Sequence, residues 1–483
     1  MSIYRQHSVK YNFLMNFILK MSGALCAAVS YPFVFRVLGA DGVGTVAFAT
    51  SVVSFFTMVA ALGIPTYGIR ECARVRDDRC LLSKTVRELL IIQTTMTCLS
   101  VALLACTVCL IPKLRSEPII FAIQGLALFT NCFGVEWMFA GLEQYGYITI
   151  KTTAAKLISL ALIFLLVRKP DDYLIYAALL ALATILSNVF NAVSLRRFVD
   201  LKPSRETAEL KKHIRPILVF FAQTVAITIY TSLDSAMLGF MKGDYWVGIY
   251  DAAVKVKLVL SYFITSLGTV LLPRLSYYVH TGEKRGFQEE ISKSLEFTLI
   301  SALPLAVFFS VKAPESILIL FGREFTQSAA ALQVLMPAVL LIGLSTITGT
   351  QILIPIGKEY VAMYSYIAGA VVDLVLNWIL IPRYAALGAA LGTLAAELVV
   401  LAVQAVFLRG MLKEALKGQK LWRPVLAALL PAGLLILMKQ VLSMPLIIDM
   451  VLSVGVYFGV TGVILVLTGE PLVCACLKRI RTR

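Results

Sequence analysis

The sequence predicts an all-α integral membrane protein with about 14 transmembrane helices, and three observations carry that expectation. Hydrophobic residues make up 59% of the 483 and charged residues only 15%, against roughly 45–50% and about 25% in soluble domains. The mean hydropathy is +0.85. The apolar runs are continuous over about 20 residues, enough to cross a hydrocarbon layer of about 30 Å as helices, and lack the period-two alternation of an outer-membrane barrel. This composition excludes a soluble enzyme, and the loops are too short to hold a catalytic domain.

In chain order the spans are expected at 11–37, 43–65, 89–111, 118–141, 152–167, 173–195, 216–240, 247–273, 294–311, 328–356, 361–381, 388–408, 424–438 and 447–468. Helix breakers punctuate the connections: Gly39 with Gly42, Pro112, Pro170, Gly243, Pro314, Gly357 and Pro382. The first run is too long for a signal-peptide core and no small-residue cleavage site follows it, so it reads as a retained span.

Lys and Arg number 44 against 28 Asp and Glu, a net charge of +16. In a chain of this kind the excess reads as topology rather than nucleic-acid binding. The loops on the N-terminal side carry 30 of the 44 and the opposite loops 9, which puts both termini in the cytoplasm. The richest segments, Arg70 to Arg87, Arg196 to Arg215 and the tail from Lys478 to Arg483, read as topology signals or contacts with anionic lipid. Trp246 and Trp422 fall at expected membrane interfaces. The nine cysteines are odd in number and scattered, so no disulfide framework is implied. Cys106 and Cys109 form a CxxC inside an apolar run and read as buried small hydrophobes. His7, His213 and His280 stand isolated, and no metal site assembles by spacing.

A weak internal repeat has an offset of about 200 to 216 residues: Val37-Leu38-Gly39 matches Met237-Leu238-Gly239, Val43-Gly44 matches Val247-Gly248, Pro65 matches Pro273, Gly141 matches Gly357 and Pro170 matches Pro382. Six helices separate equivalent points, and an even number keeps the copies in one orientation. The expectation is two six-helix lobes, residues 1–205 and 206–415, related by a pseudo-twofold axis along the membrane normal, with helices 13 and 14 and a basic tail in 416–483.

Ionisable side chains at mid-bilayer cost about 2.5–3.5 kcal/mol on insertion scales and usually face a cavity or one another. Here the basic set is Lys20, Arg36, Lys156, Lys255 and Lys257, and the acidic set is Glu136, Asp234, Asp251, Asp373 and Glu397. Asp251 and Lys255 share a helix face and can neutralise each other. Lys257 is rotated by about 200° from Lys255. Lys20 has no acid within four residues, whereas Arg36, roughly 24 Å along the axis from it, can snorkel from a helix end. For Glu136, Lys156 and Glu397 an interhelical pair is the favoured reading, with Lys156 kept among the candidate cations. Gly388-Ala-Ala-Leu-Gly392 reports close helix packing. A cleft with surplus ammonium and guanidinium groups suits a phosphate anion. No Walker, HExxH, nucleophile-elbow or paired-carboxylate pattern offers catalysis, so transport is preferred.

The stretch Tyr31-Pro-Phe-Val-Phe-Arg36-Val-Leu-Gly39-Ala-Asp-Gly42-Val-Gly44, followed by Ala61-Leu-Gly63-Ile-Pro65-Thr-Tyr67-Gly68-Ile-Arg70-Glu71, resembles the N-terminal signature of polysaccharide-biosynthesis flippases in the multidrug/oligosaccharidyl-lipid/polysaccharide exporter superfamily. The likeness continues through Glu136-Trp137-Met-Phe-Ala-Gly141-Leu-Glu143, Leu233-Asp234-Ser-Ala-Met-Leu238-Gly239, Leu272-Pro273-Arg274-Leu275 and Asn377-Trp-Ile-Leu-Ile-Pro382. It departs from the family pattern beside Glu136, where Trp137-Met138-Phe139 only partly meets the usual aromatic pair.

The resemblance implies a bacterial cytoplasmic-membrane flippase for undecaprenyl-pyrophosphate-linked oligosaccharide. It also implies alternating access around a cationic cavity, and a last helix pair like the one that forms a lipid-tail groove in lipid II flippases. Lys20, Arg36, Lys255, Lys257 and Lys156 are then the candidate head-group contacts. Asp234, Asp251 and Asp373 are candidates for coupling H+ or Na+, and Arg70 and Glu71 for a cytoplasmic gate or loop. Membrane lipids, a polysaccharide polymerase and glycosyltransferases are the expected partners, with no resident cofactor and no nucleic acid. The rivals are a cation-coupled multidrug exporter on the same fold, whose cleft should be acidic and aromatic, and a membrane-embedded glycan polymerase or ligase, which generally carries a large extracytoplasmic loop.

Overall fold

A computed structural model of the chain describes residues 8–200, 209–417, 419–441 and 444–474. His7, Cys476 and the tail from Lys478 to Arg483 lie outside the described residues. The helices are α1 (Val9–Ala61), α2 (Ile64–Val75), α3 (Arg79–Leu110), α4 (Pro112–Arg115), α5 (Pro118–Phe129), α6 (Glu136–Gly141), α7 (Tyr145–Leu166), α8 (Tyr173–Phe198) and α9 (Lys211–Lys242). They continue with α10 (Asp244–Thr281), α11 (Lys284–Val311), α12 (Ala313–Phe321), α13 (Ser328–Thr346), α14 (Glu359–Tyr384), α15 (Ala386–Phe407), α16 (Arg409–Leu416), α17 (Trp422–Val441) and α18 (Leu446–Leu467).

Among the described residues, eleven stretches are long and apolar enough to cross a membrane. The first of them, Tyr11–Val75, contains two expected spans. α1 runs through both and breaks its helical path at Gly39, where φ is 70° and ψ 179°, a backbone conformation that only glycine adopts without strain. The expected span at 118–141 is not one helix. It stops as α5, passes through a short 3-10 turn at Thr130–Phe133 and restarts as α6. The carbonyls freed by that break are satisfied from α3: Gln93, almost fully buried, donates from Nε2 to the Asn131 oxygen at 2.5 Å and the Gly134 oxygen at 3.3 Å. The indole Nε1 of Trp137 donates to Gln93 Oε1 at 3.0 Å. Irregular backbone in an apolar surrounding persists only with such internal partners.

The chain divides into two compact units, Met1–Gly248 and Ile249–Arg483. In the first, α1 packs against α3, α5, α7 and α9, and α2 against α3 and α6. Asp78 caps α3, its carboxylate accepting from the Cys80 and Leu81 amides at 2.9 and 3.0 Å. A core of Ile64, Leu82, Leu89, Met138, Phe139 and Ile217 joins α2, α3, α6 and α9. In the second unit α14 and α15 form the closest pair. Gly388 faces the backbone of Leu380 and Ile381, and Gly392 faces Asp373 and Asn377, so the small residues allow the two helices to approach closely. α17 and α18 pack together and against α11, where Tyr457 and Phe308 stack with centroids 5.3 Å apart. Their outer faces remain open, Leu437 being 57% and Val451 68% exposed.

Cys106 and Cys109, expected to be buried, are exposed on α3. That part of the apolar run points away from the protein interior, where a thiol can contact lipid. α13 leads into a π-helical segment, Ile347–Leu353, braced by a hydrogen bond of 2.5 Å from Thr348 Oγ1 to Gln404 Oε1.

Candidate functional site

In the first unit three contacts fix the register of α7 along α1. Thr149 Oγ1 donates to the Met15 carbonyl at 2.8 Å, Ser22 Oγ and Thr153 Oγ1 lie 3.1 Å apart, and the Lys156 ammonium lies over Gly23, 2.9 Å from where a β-carbon would stand. Beyond that point α1, α7 and α8 line an open, mostly apolar cavity of about 150 Å³, whose polar residues include Lys156, Ser159, Ser30, Tyr31 and Tyr176. Ser159 spends its hydrogen on the Leu179 carbonyl at 2.5 Å, and Ser30 spends its own on Ala27 at 3.2 Å. Lys156 is half-buried, and no acid among the described residues pairs with it.

Lys20 is exposed on α1 and likewise has no acidic partner among the described residues. Ala27 and Tyr31, both lining the cavity, follow Lys20 at i+7 and i+11, within about 20° of it around a regular helix. Lys20 and the Lys156 cavity therefore occupy one face of α1. Arg36 does not join them: it lies about 160° round α1 from Lys20 and is exposed one turn before the Gly39 break.

The remaining charges take other positions. Asp251 and Lys255 close an ion pair of 3.1 Å on one face of α10, while Lys257 is half-buried. Asp234 on α9 and Asp373 on α14 are buried. Arg70 stacks over the rings of Tyr67 and Phe220 at 5.6 and 5.2 Å, and Glu71, buried, bonds Arg74.

Several polar centres had no signal in the spacing, because each lies at or just past the edge of an apolar run. Lys151, 5% exposed, donates to Asn191 Oδ1 at 2.5 Å, Ser187 Oγ at 3.2 Å and Glu136 Oε2 at 3.4 Å. The expected partner of Glu136 is thus a lysine one residue outside its expected span. Lys312, 1% exposed, holds both oxygens of Asp449 at 3.0 and 2.9 Å and ties the start of α12 to α18. His213 is not isolated: its Nδ1 lies 2.7 Å from Tyr67 Oη and its Nε2 2.9 Å from Glu88 Oε2. Glu88 also takes Lys212 at 2.9 Å and the Glu209 amide at 2.8 Å.

At the break within α1, two six-residue corners meet inside the first unit. Gly39 (φ 70°, ψ 179°) begins one and Gly243 (φ 97°, ψ 172°) the other. Five residues on, Gly44 and Gly248 occupy equivalent places. A β-carbon on Gly44 would collide with the Asp244 carbonyl and stand 2.8 Å from the Gly248 nitrogen, and one on Gly248 would collide with the Ala40 carbonyl. The contact is reciprocal, corner against corner. Asp244 adds a bond from Thr45 Oγ1 at 3.2 Å and an ion pair with Lys113 at 2.9 Å.

Comparison with known proteins agrees with this architecture. The polysaccharide biosynthesis protein family model matches residues 9–279, and that of the lipid II flippase MurJ matches 152–457. A curated relative from Shigella dysenteriae, "Putative O-antigen transporter", is 27% identical over 407 residues, covering 81% of this chain and 98% of its own. Solved structures share the fold, two of them as follows. One is a lipid II flippase MurJ in an inward closed conformation, with TM-score 0.73 and 13% identity over 94% of this chain and 98% of that one. The other is an inward-facing multidrug resistance MATE family transporter of the MOP superfamily, with TM-score 0.59 and 14% identity over 85% and 97%. With more than half its length matched by the family model and a multi-span helical fold shared with known transporters, the chain belongs to the polysaccharide biosynthesis protein family, a transporter rather than an enzyme.

Proposed function

We propose that this chain is a flippase that carries undecaprenyl-pyrophosphate-linked oligosaccharide units from the cytoplasmic to the outer leaflet of a bacterial cytoplasmic membrane. The observation that carries the reading is the pair Lys20 and Lys156: two ammonium groups on one face of the α1–α7 seam, with no acid paired to either among the described residues, beside a largely apolar cavity into which Lys156, Ser30 and Ser159 bring polar groups. A half-buried cation such as Lys156 is costly in an apolar surrounding unless neutralised, and a pyrophosphate would neutralise it and draw in the exposed Lys20. The family match and the O-antigen relative supply the class of cargo. Arg36, Lys255 and Lys257 remain candidates for further head-group contact, Lys255 only after leaving Asp251.

Binding a dianion relieves repulsion among these cations, which gives the differential affinity a population shift requires. The reciprocal corners at Gly39–Gly44 and Gly243–Gly248 support alternating access between two repeats. They share backbone geometry at an offset of 204 residues, the offset at which Val43-Gly44 matches Val247-Gly248. Corners held in reciprocal backbone contact must part when the end they close opens. With both termini in the cytoplasm, as the loop charges indicate, these corners form the outer gate. Asp234, Asp251 and Asp373 are candidates for H+ or Na+ coupling. The membrane potential is the alternative drive, worth about 2.3 kcal/mol per charge per 100 mV. Glycosyltransferases would supply the cargo and a polymerase would take it up.

The test in cells is deletion followed by complementation. Deletion should accumulate lipid-linked oligosaccharide on the cytoplasmic leaflet, relieved by the wild-type gene and not by Lys20→Ala or Lys156→Met. If deletion instead alters drug sensitivity with no effect on surface glycan, the multidrug reading replaces this one.

A further inference from the structure

The second unit contains a larger cavity, of about 440 Å³, where α11, α16 and α17 meet the segment that follows α18. It lies at helix ends. The apolar stretch of α17 begins at Trp422 and that of α18 stops at Leu467, so the cavity sits where hydrocarbon gives way to head groups. Trp422 is 54% exposed there, the position amphipathic rings favour.

Two carboxyl groups lie together in its wall. Glu470 is 4% exposed and bonds side chain to side chain with Glu296 of α11, a contact that requires one proton to be held between the two carboxyl groups. Their nearest cation is the Arg423 guanidinium, 3.5 Å from Glu470, and it already donates to the Gly469 carbonyl at 3.0 Å. Glu296 has no ion-pair partner of its own among the described residues. At the rim, Lys417 and Lys420 are exposed and pair with no acid among the described residues. Leu299 and Ile300 on α11 continue the wall into the apolar zone.

The cavity thus offers acceptors for a cation, donors for an anion and an apolar exit. We propose that it binds the head group of an aminophospholipid, the primary ammonium on Glu296 and Glu470 and the phosphate on Lys417 and Lys420, with the acyl chains along α11. A primary ammonium brings three N–H donors to the carboxyl pair, whereas a trimethylammonium brings none. A purely anionic head group would satisfy the lysines and meet the carboxyls with like charge. Basic pockets between membrane helices are established head-group sites; the carboxyl pair is what selects the amine here.

The test uses the purified full-length chain in vesicles of phosphatidylethanolamine, phosphatidylcholine and phosphatidylglycerol with identical acyl chains in equal amounts. Lipid retained through detergent extraction is then counted by mass spectrometry. Phosphatidylethanolamine should be enriched over phosphatidylcholine by roughly tenfold, the worth of about one charge-assisted hydrogen bond. Glu296→Gln should erase that preference, and the exposed-site double variant Lys417→Gln/Lys420→Gln should lower retention of every phospholipid while leaving the melting temperature unchanged. Equal retention of amine and choline lipids, a preference for phosphatidylglycerol, or an unaltered preference in Glu296→Gln would overturn the assignment. So would full displacement of the lipid by soluble phosphoethanolamine at equal concentration, since it would mean that the acyl chains contribute nothing.

Discussion

Gly44 and Gly248 hold equivalent positions in two corners of the chain, and each is pressed against the backbone of the other's corner: Gly44 against the Asp244 carbonyl, Gly248 against the Ala40 carbonyl. Only a residue without a β-carbon fits either place. Gly44→Ala and Gly248→Ala should each force the corners apart, at a cost of about 1–3 kcal/mol typical of overpacking. On the proposed function transport should fall more steeply than stability, because corners that cannot close would leave a gate there leaking or stalled. Gly455→Ala on α18, where nothing stands within 4 Å of the new carbon, serves as the control. Melting temperature and transport rate measured side by side check the prediction; wild-type transport by both corner variants would remove the crossing from the gate.

The cationic seam predicts a graded response to charge and shape. Lys156→Arg keeps the charge but pushes a planar, longer group against Gly23, and should retain partial activity. Lys156→Met fills similar space without charge and should abolish head-group binding while leaving the fold intact, since no ion pair is lost. Lys20→Ala should behave in the same way. Binding of a polyprenyl-pyrophosphate analogue to purified variants, read by fluorescence, separates these outcomes from misfolding.

Glu88 gathers His213, Lys212 and the Glu209 amide around one buried carboxylate. Removing it strands a buried imidazole and frees the start of α9 from α3. Glu88→Ala should therefore lower stability by about 3 kcal/mol, as for a broken buried pair, with Glu88→Gln costing less because an amide oxygen can still accept one of those bonds. Chemical or thermal unfolding in detergent gives the comparison.

Lys312 and Asp449 pin α18 to the start of α12. Lys312→Met leaves the Asp449 carboxylate without its ammonium and should destabilise by about 3 kcal/mol, while Lys312→Met/Asp449→Leu should recover most of the loss because a well-packed apolar pair replaces the ions. If the double variant is no better than the single, the ammonium is holding something other than Asp449.

These residues also show what could be read from the sequence. Composition and apolar run length made the helical membrane fold legible; the Val43-Gly44 and Val247-Gly248 match read only as an internal repeat, and the contact between those two backbones was not legible in it. The i, i+4 spacing announced the Asp251–Lys255 pair, which closes at 3.1 Å. What stayed hidden was long-range. Lys151, Lys312 and Glu88 sit at the ends of apolar windows, where a charge reads as a loop residue, and their partners are 15 to 137 positions away. The break at 130–135 was invisible because the side chain that supports it, Gln93, comes from another helix. Lys156 read as one half of an interhelical pair, and the structure instead places it over Gly23 in a cavity, a position that depends on how α7 crosses α1.

Reconstitution in liposomes reads lipid transfer through the α1–α7 seam. Purified protein in liposomes, loaded on one leaflet with a fluorescent undecaprenyl-pyrophosphate sugar, should move it to the other leaflet at a rate that responds to an imposed potential or pH gradient. Lys20→Ala/Lys156→Met should leave the rate at that of empty liposomes. Undiminished transfer by that double variant would contradict the cationic site on the α1–α7 seam, and no transfer by the wild-type protein under any gradient would contradict the flippase itself.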